Sequence, residues 1–164
     1  MSTDFRIVSP TAADVPLILS LFRQLAIYEK LEDLFVVNEE TLTESLFGAK
    51  PSAEIRLAFV GDDAVGYMVF FENFSTFLGR SGIYLEDLFV KPEFRGSGYG
   101  KALLSELARI AVERGCKRLE WTVLNWNTLA IDFYKSIRAE PMDGWTTFRL
   151  TGEPLHRLGA IAGK

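Results

Sequence analysis

The stretch Leu85–Gly100 reads LEDLFVKPEFRGSGYG and decides the fold, because an apolar strand pattern runs into a glycine-rich corner and then a helix. Leu85–Val90 carries the strand pattern, and Pro92 ends it because proline cannot donate to a sheet ladder. From Tyr99 onward, apolar residues recur at helical spacing. Glycines let the backbone approach a ligand, and a helix N-terminus offers unpaired N–H groups to an anion. The corner therefore predicts a phosphate-binding site.

Two common phosphate-binding motifs do not fit this corner. A P-loop needs a glycine five positions before its Gly-Lys pair and Ser or Thr after it, but Arg95 and Ala102 occupy those positions. A dinucleotide-binding G-x-G-x-x-G motif would need a glycine where Lys101 or Leu103 stands. The corner therefore belongs to another class of glycine-rich loop.

The composition of the chain is that of an ordinary globular domain. The 164 residues are 48% hydrophobic and 24% charged, which suits one domain spanning 1–164 and gives no sign of disorder or of a disulfide scaffold. The net charge of −4 argues against a general nucleic-acid surface and suits a small cationic substrate. We therefore expect a single domain that does not bind nucleic acid.

The cysteine content and the lack of long apolar segments indicate where the protein works. Cys116 is the only cysteine, so no internal disulfide can form. The chain starts without a basic segment leading into an apolar run, and no apolar stretch approaches the roughly 20 residues that cross a bilayer. We expect a cytoplasmic protein that does not insert into membranes.

Hydrophobic periodicity predicts strands and helices along the rest of the chain. Thr11, Asn38 and Asn127 are candidate N-caps of three helices. The predicted strands are 5–8, 55–60, 65–71, 83–90, 118–124 and 145–150. Because a helix connects 83–90 to 118–124, those two strands should be parallel. The order predicts an α/β (α+β) fold with a mixed central sheet flanked by helices.

Arg95, Gly98 and Gly100 match the pattern R/Q-x-x-G-x-G/A, which resembles the acetyl-CoA loop of the GNAT family of N-acetyltransferases. Further segments resemble the diamine (spermidine/spermine) and thialysine acetyltransferase branch over nearly the whole chain. They are Leu85–Val90, Trp126-Asn127, Phe133-Tyr134-Lys135 and Gly144-Trp145. The resemblance implies a single GNAT domain, acetyl-CoA as co-substrate, a small amine as acceptor, and a homodimer. No cluster of Cys and His residues suggests a metal.

The resemblance assigns catalytic roles to two residues. Tyr134 matches the general acid that protonates the thiolate leaving CoA, a role that a phenol within reach can fill. Glu86 matches the carboxylate that accepts, through water, the proton of the attacking amine. A base is needed because an alkyl amine has a pKa of about 10, so only about one molecule in a thousand is neutral at pH 7. Without the family context, Tyr134 would be interpreted as a half-buried aromatic and Glu86 as a solvated strand residue.

The same resemblance implies where acetyl-CoA binds. We expect the backbone of Leu88-Phe89-Val90 to pair with the pantetheine amides, Asn127 to touch the pantetheine while capping its helix, and Tyr134 to reach the sulfur. The expected contacts of the pyrophosphate are the main chain of Gly96, Ser97, Gly98, Tyr99, Gly100 and Lys101, with charge from Arg95 and Lys101.

The acceptor amine is the least determined part of the prediction. The expected pocket consists of Tyr28, Glu29, Glu86, Asp87 in a supporting role, and Asp143. Two departures from the branch bear on it, since Lys30 adds a positive charge beside Glu29 and Arg138 stands where relatives have a glycine. We rank a diamine or polyamine first. The alternatives are thialysine or another amino acid, then a protein lysine or N-terminal amine, and then a non-catalytic acyl-CoA-binding module.

Two reactive side chains are not expected in the chemistry. His156, the only histidine, lies beyond the last predicted strand and should be a surface residue. Cys116 adjoins a predicted strand, has no histidine nearby in sequence, and should be a small buried residue rather than a nucleophile. We therefore expect direct attack of the amine in a ternary complex, without an acetyl-enzyme.

Overall fold

The computed structural model describes residues 2 and 4–162, and the chain divides into two units, Met1–Thr122 and Val123–Lys164. A five-stranded sheet forms the framework of the larger unit. Its strands are β1 (Phe5–Val8), β2 (Glu54–Val60), β3 (Asp63–Ser75), β4 (Arg80–Val90) and β5 (Leu119–Trp121). The helices are α1 (Val15–Glu29), α2 (Glu39–Phe47) and α3 (Tyr99–Glu113) in the larger unit, with α4 (Thr128–Ser136) and α5 (Gly152–Gly159) in the smaller one.

The sheet is mixed and has the strand order β1-β2-β3-β4-β5. Strands β1 to β4 pair antiparallel in succession, and β5 pairs parallel with β4 after the crossover through α3. This topology confirms the predicted fold class and the predicted parallel pair, because a helical crossover returns the chain in its original direction.

Asn38 caps α2 as predicted, whereas Thr11 begins a short 3₁₀ turn and α1 itself starts three residues later than Thr11 predicts, after Asp14. The backbone N–H of Thr11 donates to Asp14 Oδ2 at 2.8 Å, and a single 3₁₀ turn then leads into α1. Asn38 Oδ1 accepts a hydrogen bond of 2.9 Å from the backbone N–H of Thr41 at the start of α2. Each such cap satisfies an N–H that would otherwise lack an intrahelical partner and contributes about 0.5–2 kcal/mol.

The core lies on both faces of the sheet and holds β3 and β4 in place. On one face, Ile18 and Leu21 of α1 are fully buried together with Tyr67 of β3. Helix α3 contacts β3 and β4, and its Leu103 and Leu107 are also fully buried. Each fully buried leucine or isoleucine stabilises the fold by roughly 1.5–3 kcal/mol. The strand that precedes the glycine-rich corner is therefore part of a rigid framework.

The prediction of a strand at 145–150 is wrong. The structure assigns no strand there, and the side chains of Trp145 and Phe148 are 73% and 91% exposed. A strand needs a neighbour to complete its hydrogen bonds, and none pairs with this segment in the described residues. The segment has the pattern typical of a strand, but whether it forms one depends on a partner strand that the rest of the fold must supply.

The smaller unit contains one predicted helix and one that the sequence reading missed. Asn127 Oδ1 accepts a hydrogen bond of 3.3 Å from Ala130 N–H and caps α4 as predicted. Helix α5 follows the segment that fails to form a strand. No helix in residues 4–162 combines the length and the apolar character that a bilayer span requires.

Candidate active site

Strand β4 carries a bulge at Glu86. Between consecutive residues of β3, the paired residue on β4 jumps from Leu85 to Asp87, so Glu86 has no partner on that strand. Bulges re-aim side chains and occur often beside active sites. Glu86 is exposed at the bulge, whereas Asp87 is half-buried. The two adjacent carboxylates therefore lie in different environments, as the alternation of strand side chains predicts.

Asp87 meets a tyrosine on the face of the sheet that packs against α1. The hydroxyl of Tyr67 donates a long hydrogen bond of 3.4 Å to Asp87 Oδ2. The Tyr67 ring lies 4.8 Å from the ring of Phe22 on α1 and 5.9 Å from the ring of Phe89 on β4, measured between centroids. Tyr67 is fully buried, so its hydroxyl does not face solvent.

Three carboxyl groups, Glu29, Glu86 and Asp87, form what we call the carboxyl cluster. Burial, followed by the charges of Glu86 and Glu29, raises the pKa of Asp87 to about 6, and the Tyr67 hydrogen bond acts in the opposite direction. Burial also raises the pKa of Glu29, the last residue of α1. A cation placed beside these groups would favour their charged forms and relieve their mutual repulsion. The cluster is thus suited to a positively charged ligand.

Arg95 connects the glycine-rich corner to the predicted amine pocket. Its guanidinium lies 4.0 Å from the ring centroid of Tyr28 near the end of α1, the geometry of a cation–π contact. Its Nε donates a hydrogen bond of 2.9 Å to the carbonyl oxygen of Val90 at the end of β4. The role of Arg95 at the pyrophosphate stays a prediction, while the structure shows it joining β4 to α1.

The edge of β4 towards β5 provides main-chain groups for a ligand. Strand β5 pairs only with Ile83–Leu85, so 86–90 have no neighbouring strand on this edge among residues 4–122. Leu88, Phe89 and Val90 pair with β3 on their other edge, which holds their backbone in extended form. An extended chain carrying amides can add to such an edge in the manner of a further strand. The pantetheine arm of CoA has this character, so the residues present fit the predicted contact.

The corner before α3 presents backbone N–H groups at a helix N-terminus. Gly96 and Gly98 adopt left-handed backbone angles, with φ of 78° and 87°, which non-glycine residues adopt only at a cost. The first helical hydrogen bond runs from Ala102 N–H to the Gly98 carbonyl at 3.0 Å. The amides of 99–101 therefore precede the helical ladder and suit a phosphate.

The side chains of the corner contribute unequally. Ser97 and Lys101 are exposed, and Gly100 would tolerate a Cβ at ordinary contact distance from Leu88 and so is not required by local packing. Tyr99 is buried and stacks on Phe5 with 4.8 Å between ring centroids. Only the backbone of Tyr99 can therefore serve a ligand, as the prediction of main-chain contacts requires.

The remaining predicted site residues belong to the smaller unit. Burial raises the pKa of Tyr134 on α4, so its phenol keeps its proton at neutral pH. Asn127 caps the same helix. Asp143 is exposed in the turn that the hydrogen bond of 3.0 Å from Trp145 N–H to the Met142 carbonyl closes. Their catalytic and binding roles stay predictions.

The environments of Cys116 and His156 do not favour a role in nucleophilic catalysis. Cys116 follows the end of α3 and is half-buried rather than buried as predicted. Desolvation raises the pKa of its thiol, which disfavours the nucleophilic thiolate. His156 is exposed on α5, as predicted for a surface histidine. Nothing in these environments favours an acetyl-enzyme.

The two departures from the acetyltransferase branch share a backbone conformation. Lys30 ends α1 with φ of 60°, and Arg138 lies beyond the end of α4 with φ of 66°. Both angles are left-handed, the region that favours glycine. Arg138 therefore holds, just beyond α4, a conformation that favours glycine, and it does so at a conformational cost.

Sequence reasoning assigned Tyr67 only to the core of a strand and missed its contact with Asp87. The signal available was a single hydroxyl in the apolar run Ala64–Phe71, because a buried tyrosine usually finds a hydrogen-bond partner. The identity of that partner depends on the pairing of β3 with β4 and on the bulge, neither of which can be read from the run itself.

Comparison with known proteins identifies the family. The model of the "Acetyltransferase (GNAT) family" matches residues 24–138. The chain is 40% identical over 158 residues to a thialysine N-epsilon-acetyltransferase of Bos taurus, covering 90% of this chain and 91% of the relative. It is 32% identical to L-ornithine N5-acetyltransferase NATA1 of Arabidopsis thaliana, over 98% of this chain and 90% of the relative.

The solved structures agree with the family assignment. An integron cassette protein from the mobile metagenome of V. cholerae superposes with a TM-score of 0.81 at 27% identity, over 96% of this chain and 99% of that one. The matched region contains the glycine-rich corner, the bulged strand β4 and Tyr134. With its fold, its corner and its relatives in agreement, this chain belongs to the acetyltransferase (GNAT) family and is an N-acetyltransferase.

Proposed function

We propose that the protein transfers the acetyl group of acetyl-CoA to the side-chain amine of a small diamino acid of the thialysine or ornithine type. From the sequence alone, diamines and polyamines rank first and this class second. The relatives reverse that order, since the bovine protein is named for thialysine and the Arabidopsis protein for ornithine. The high similarity to the bovine protein over nine-tenths of both chains is the observation that carries the proposal.

The charges near the end of α1 support a substrate that carries both signs. The carboxyl cluster of Glu29, Glu86 and Asp87 suits ammonium groups. Lys30 follows Glu29 directly and is exposed. A diamino acid has two ammonium groups and a carboxylate, so its carboxylate would gain from Lys30 whereas a polyamine would be repelled. The proposed substrate class therefore matches both the positive charge of Lys30 and the carboxyl cluster.

The proposed chemistry is a direct transfer between the two substrates. The neutral amine attacks the carbonyl carbon of the thioester, forming the C–N bond, and collapse of the tetrahedral intermediate breaks the C–S bond. Glu86 receives, through water, the proton that the ammonium loses, and Tyr134 donates a proton to the departing sulfur. The raised pKa of Tyr134 keeps the donor protonated at neutral pH. The products are the acetylated amine and free CoA.

Acetyl-CoA binding is proposed along β4 and at the start of α3. The open edge at Leu88–Val90 would pair with the pantetheine amides, and the amides of 96–101 would hold the pyrophosphate with Lys101 adding charge. Asn127 would touch the pantetheine while capping α4. Enzymes of this family use acetyl-CoA, and the fold supplies the backbone groups that such a ligand requires.

We also propose that the working form is a homodimer in the cytoplasm, as the resemblance implies. The exposed apolar side chains of Trp145 and Phe148 support self-association, because large apolar groups gain free energy when they are removed from water. Light scattering at the assay concentration should give twice the monomer mass of 18.5 kDa, and a monomer mass would contradict the dimer.

Release of free CoA thiol from acetyl-CoA tests the substrate assignment. The panel consists of thialysine, ornithine, lysine, spermidine, putrescine and a lysine-containing peptide at matched concentrations. We expect the diamino acids to give the highest kcat/KM. Preference for spermidine or putrescine would restore the polyamine ranking, preference for the peptide would favour a protein acetyltransferase, and acetyl-CoA binding without turnover would favour a non-catalytic module.

A charge-reversal variant in the same assay tests whether Lys30 recognises the carboxylate of the amino-acid substrate. Lys30→Glu should raise the KM for ornithine and leave the KM for putrescine unchanged or lower, because putrescine has no carboxylate. Lys50→Glu, an exposed charge outside the predicted site, is the matched control and should change neither KM. Equal effects of Lys30→Glu on both substrates would remove Lys30 from substrate recognition.

A further inference from the structure

We propose that Tyr67 is a positioning residue of the amine site, whose buried hydroxyl fixes Asp87 as the anionic partner of the substrate's second, non-reacting ammonium group. This inference rests on the proposed function for its substrate, a small molecule with two ammonium groups. It assigns a role to a residue of the sheet core that touches neither substrate. The two adjacent carboxylates then have different roles. Glu86 interacts with the reacting amine, and Asp87 binds the distant ammonium group.

The packing around Tyr67 explains how a core residue can orient a site residue. Phe22 and Phe89 hold its ring at centroid distances of 4.8 and 5.9 Å, and the whole residue is fully buried. The hydroxyl therefore has a fixed position, from which it donates to one oxygen of Asp87 at 3.4 Å. The second oxygen, Oδ1, remains available for a ligand. A locked donor behind a carboxylate is the arrangement that holds a binding group in one orientation.

The charges around Asp87 explain why it needs a donor. Glu86 on β4 and Glu29 on α1 both repel its negative form, and burial disfavours that form as well. The nearby cations make their described contacts elsewhere. Arg95 lies over the ring of Tyr28 and donates a hydrogen bond to the Val90 carbonyl, and Lys30 is exposed at the end of α1. The Tyr67 hydrogen bond is thus the described contact that favours the negative form of Asp87.

The Tyr67 hydroxyl should make binding of the ammonium group depend on pH. The pKa of Asp87 is about 6, so a fraction of the enzyme carries a neutral Asp87 just below neutral pH. Loss of the Tyr67 hydroxyl should move this half-titration point upward by about one pH unit, the scale expected for a hydrogen bond to a charged group. The affinity of the variant for the ammonium group then falls most at pH values between the two half-titration points, where Asp87 is ionised in the wild type and neutral in the variant.

Tyr67→Phe tests this directly, because it removes only the hydroxyl. At about pH 6.5 we expect the KM for ornithine to rise about threefold, and at about pH 8.5 to return close to wild type, with kcat unchanged at both. Tyr84→Phe is the matched control, since Tyr84 lies on β4 and its hydroxyl contacts Thr122 at 3.4 Å, outside the carboxyl cluster. A KM change of equal size at both pH values, or a fall in kcat instead, would overturn the positioning role.

A double-variant cycle shows whether Tyr67 acts through Asp87. Asp87→Asn should raise the KM for ornithine at both pH values because it removes the charge permanently. In the Asp87→Asn background, Tyr67→Phe should add no further change in KM. An unchanged effect of Tyr67→Phe in that background would mean that the hydroxyl acts through another group, which contradicts the inference.

A measurement without substrate separates this inference from the proposed function. The side-chain carboxyl carbon of Asp87 can be titrated by ¹³C NMR in the wild-type protein and in Tyr67→Phe, with thermal unfolding confirming that both are folded. We expect the half-titration point to be higher in the variant. An identical titration would overturn the role of Tyr67 even if every diamino acid is acetylated. Failure of the substrate panel with a shifted titration would instead contradict the proposed substrate and leave the Tyr67–Asp87 contact established.

Discussion

Tyr134 combines two properties that a general acid needs. It is a phenol, so it can donate a proton, and burial raises its pKa so that the proton is present at neutral pH. The family resemblance also assigns this residue the role of proton donor. Its neighbour in sequence, Phe133, lies 5.5 Å away between ring centroids and offers a matched control on the same helix.

Tyr134→Phe should lower kcat for acetyl transfer about a hundredfold or more, because a positioned general acid contributes on that scale. The affinity for CoA should change little, because the ring and the helix remain. Stopped-assay turnover and CoA binding by calorimetry measure the two quantities. Phe133→Leu is the control for disturbance of α4 and should retain most of the turnover. Near-wild-type turnover of Tyr134→Phe would remove it from catalysis.

Among the secondary-structure elements, helix ends and incompletely paired strands carry the proposed site residues. Helix α1 delivers Tyr28 and Glu29 from its last turn, and α3 presents its N-terminal amides to the corner. Strand β4 is paired over its length on one side but only at Ile83–Leu85 on the other. The proposed site is therefore composed of places where regular hydrogen bonding stops, which are the places where backbone groups remain for a ligand.

The end of α4 allows a prediction about stability. Arg138 has φ of 66°, and a left-handed conformation costs a non-glycine residue about 1–2 kcal/mol. Arg138→Gly should therefore raise the midpoint of thermal unfolding by about 2–4 °C, after the greater entropy of the unfolded glycine chain is included. Circular dichroism during heating measures the change. Arg138→Ala keeps the Cβ and removes the charge, so an equal gain in that variant would assign the effect to charge rather than to the backbone.

At the scale of the whole molecule, the burial of Asp87 makes the stability of the fold depend on pH. The pKa of Asp87 in the folded protein is about 6, above the ordinary value of 3.8. Between these values the folded state binds more protons than the unfolded state, so stability falls as pH rises through this window. The protein thus maintains a charged carboxyl in an unfavourable place, as expected for a group kept for binding rather than for folding.

The effect of Asp87→Asn on the free energy of unfolding should accordingly depend on pH. It should be more stabilising near pH 7 than near pH 4 by about 2–3 kcal/mol. Urea unfolding at several pH values measures the difference in the free energy of unfolding. Asp143→Asn, which removes an exposed carboxylate, is the control for the loss of one negative charge. A difference between wild type and Asp87→Asn that does not depend on pH would contradict the raised pKa.

Local patterns anticipated most of the framework. The caps at Asn38 and Asn127, the turn that begins at Thr11 and the parallel pair of strands are predictable because they depend on residues close in sequence or on the handedness of crossovers. The lengths of β3 and β4 and the absence of a strand at 145–150 are not predictable in this way, because a strand is completed by a neighbour that is often distant in sequence.

By itself, the sequence determined the class of the protein. The run from Leu85 to Gly100 specifies a strand, a left-handed glycine corner and a helix start through short-range steric and hydrogen-bonding rules, and it carries the family resemblance. Only the tertiary structure decided which groups meet. The bulge at Glu86, the contact of Tyr67 with Asp87 and the stacking of Arg95 on Tyr28 join segments 15 or more residues apart, and such contacts depend on strand register and packing rather than on local preference.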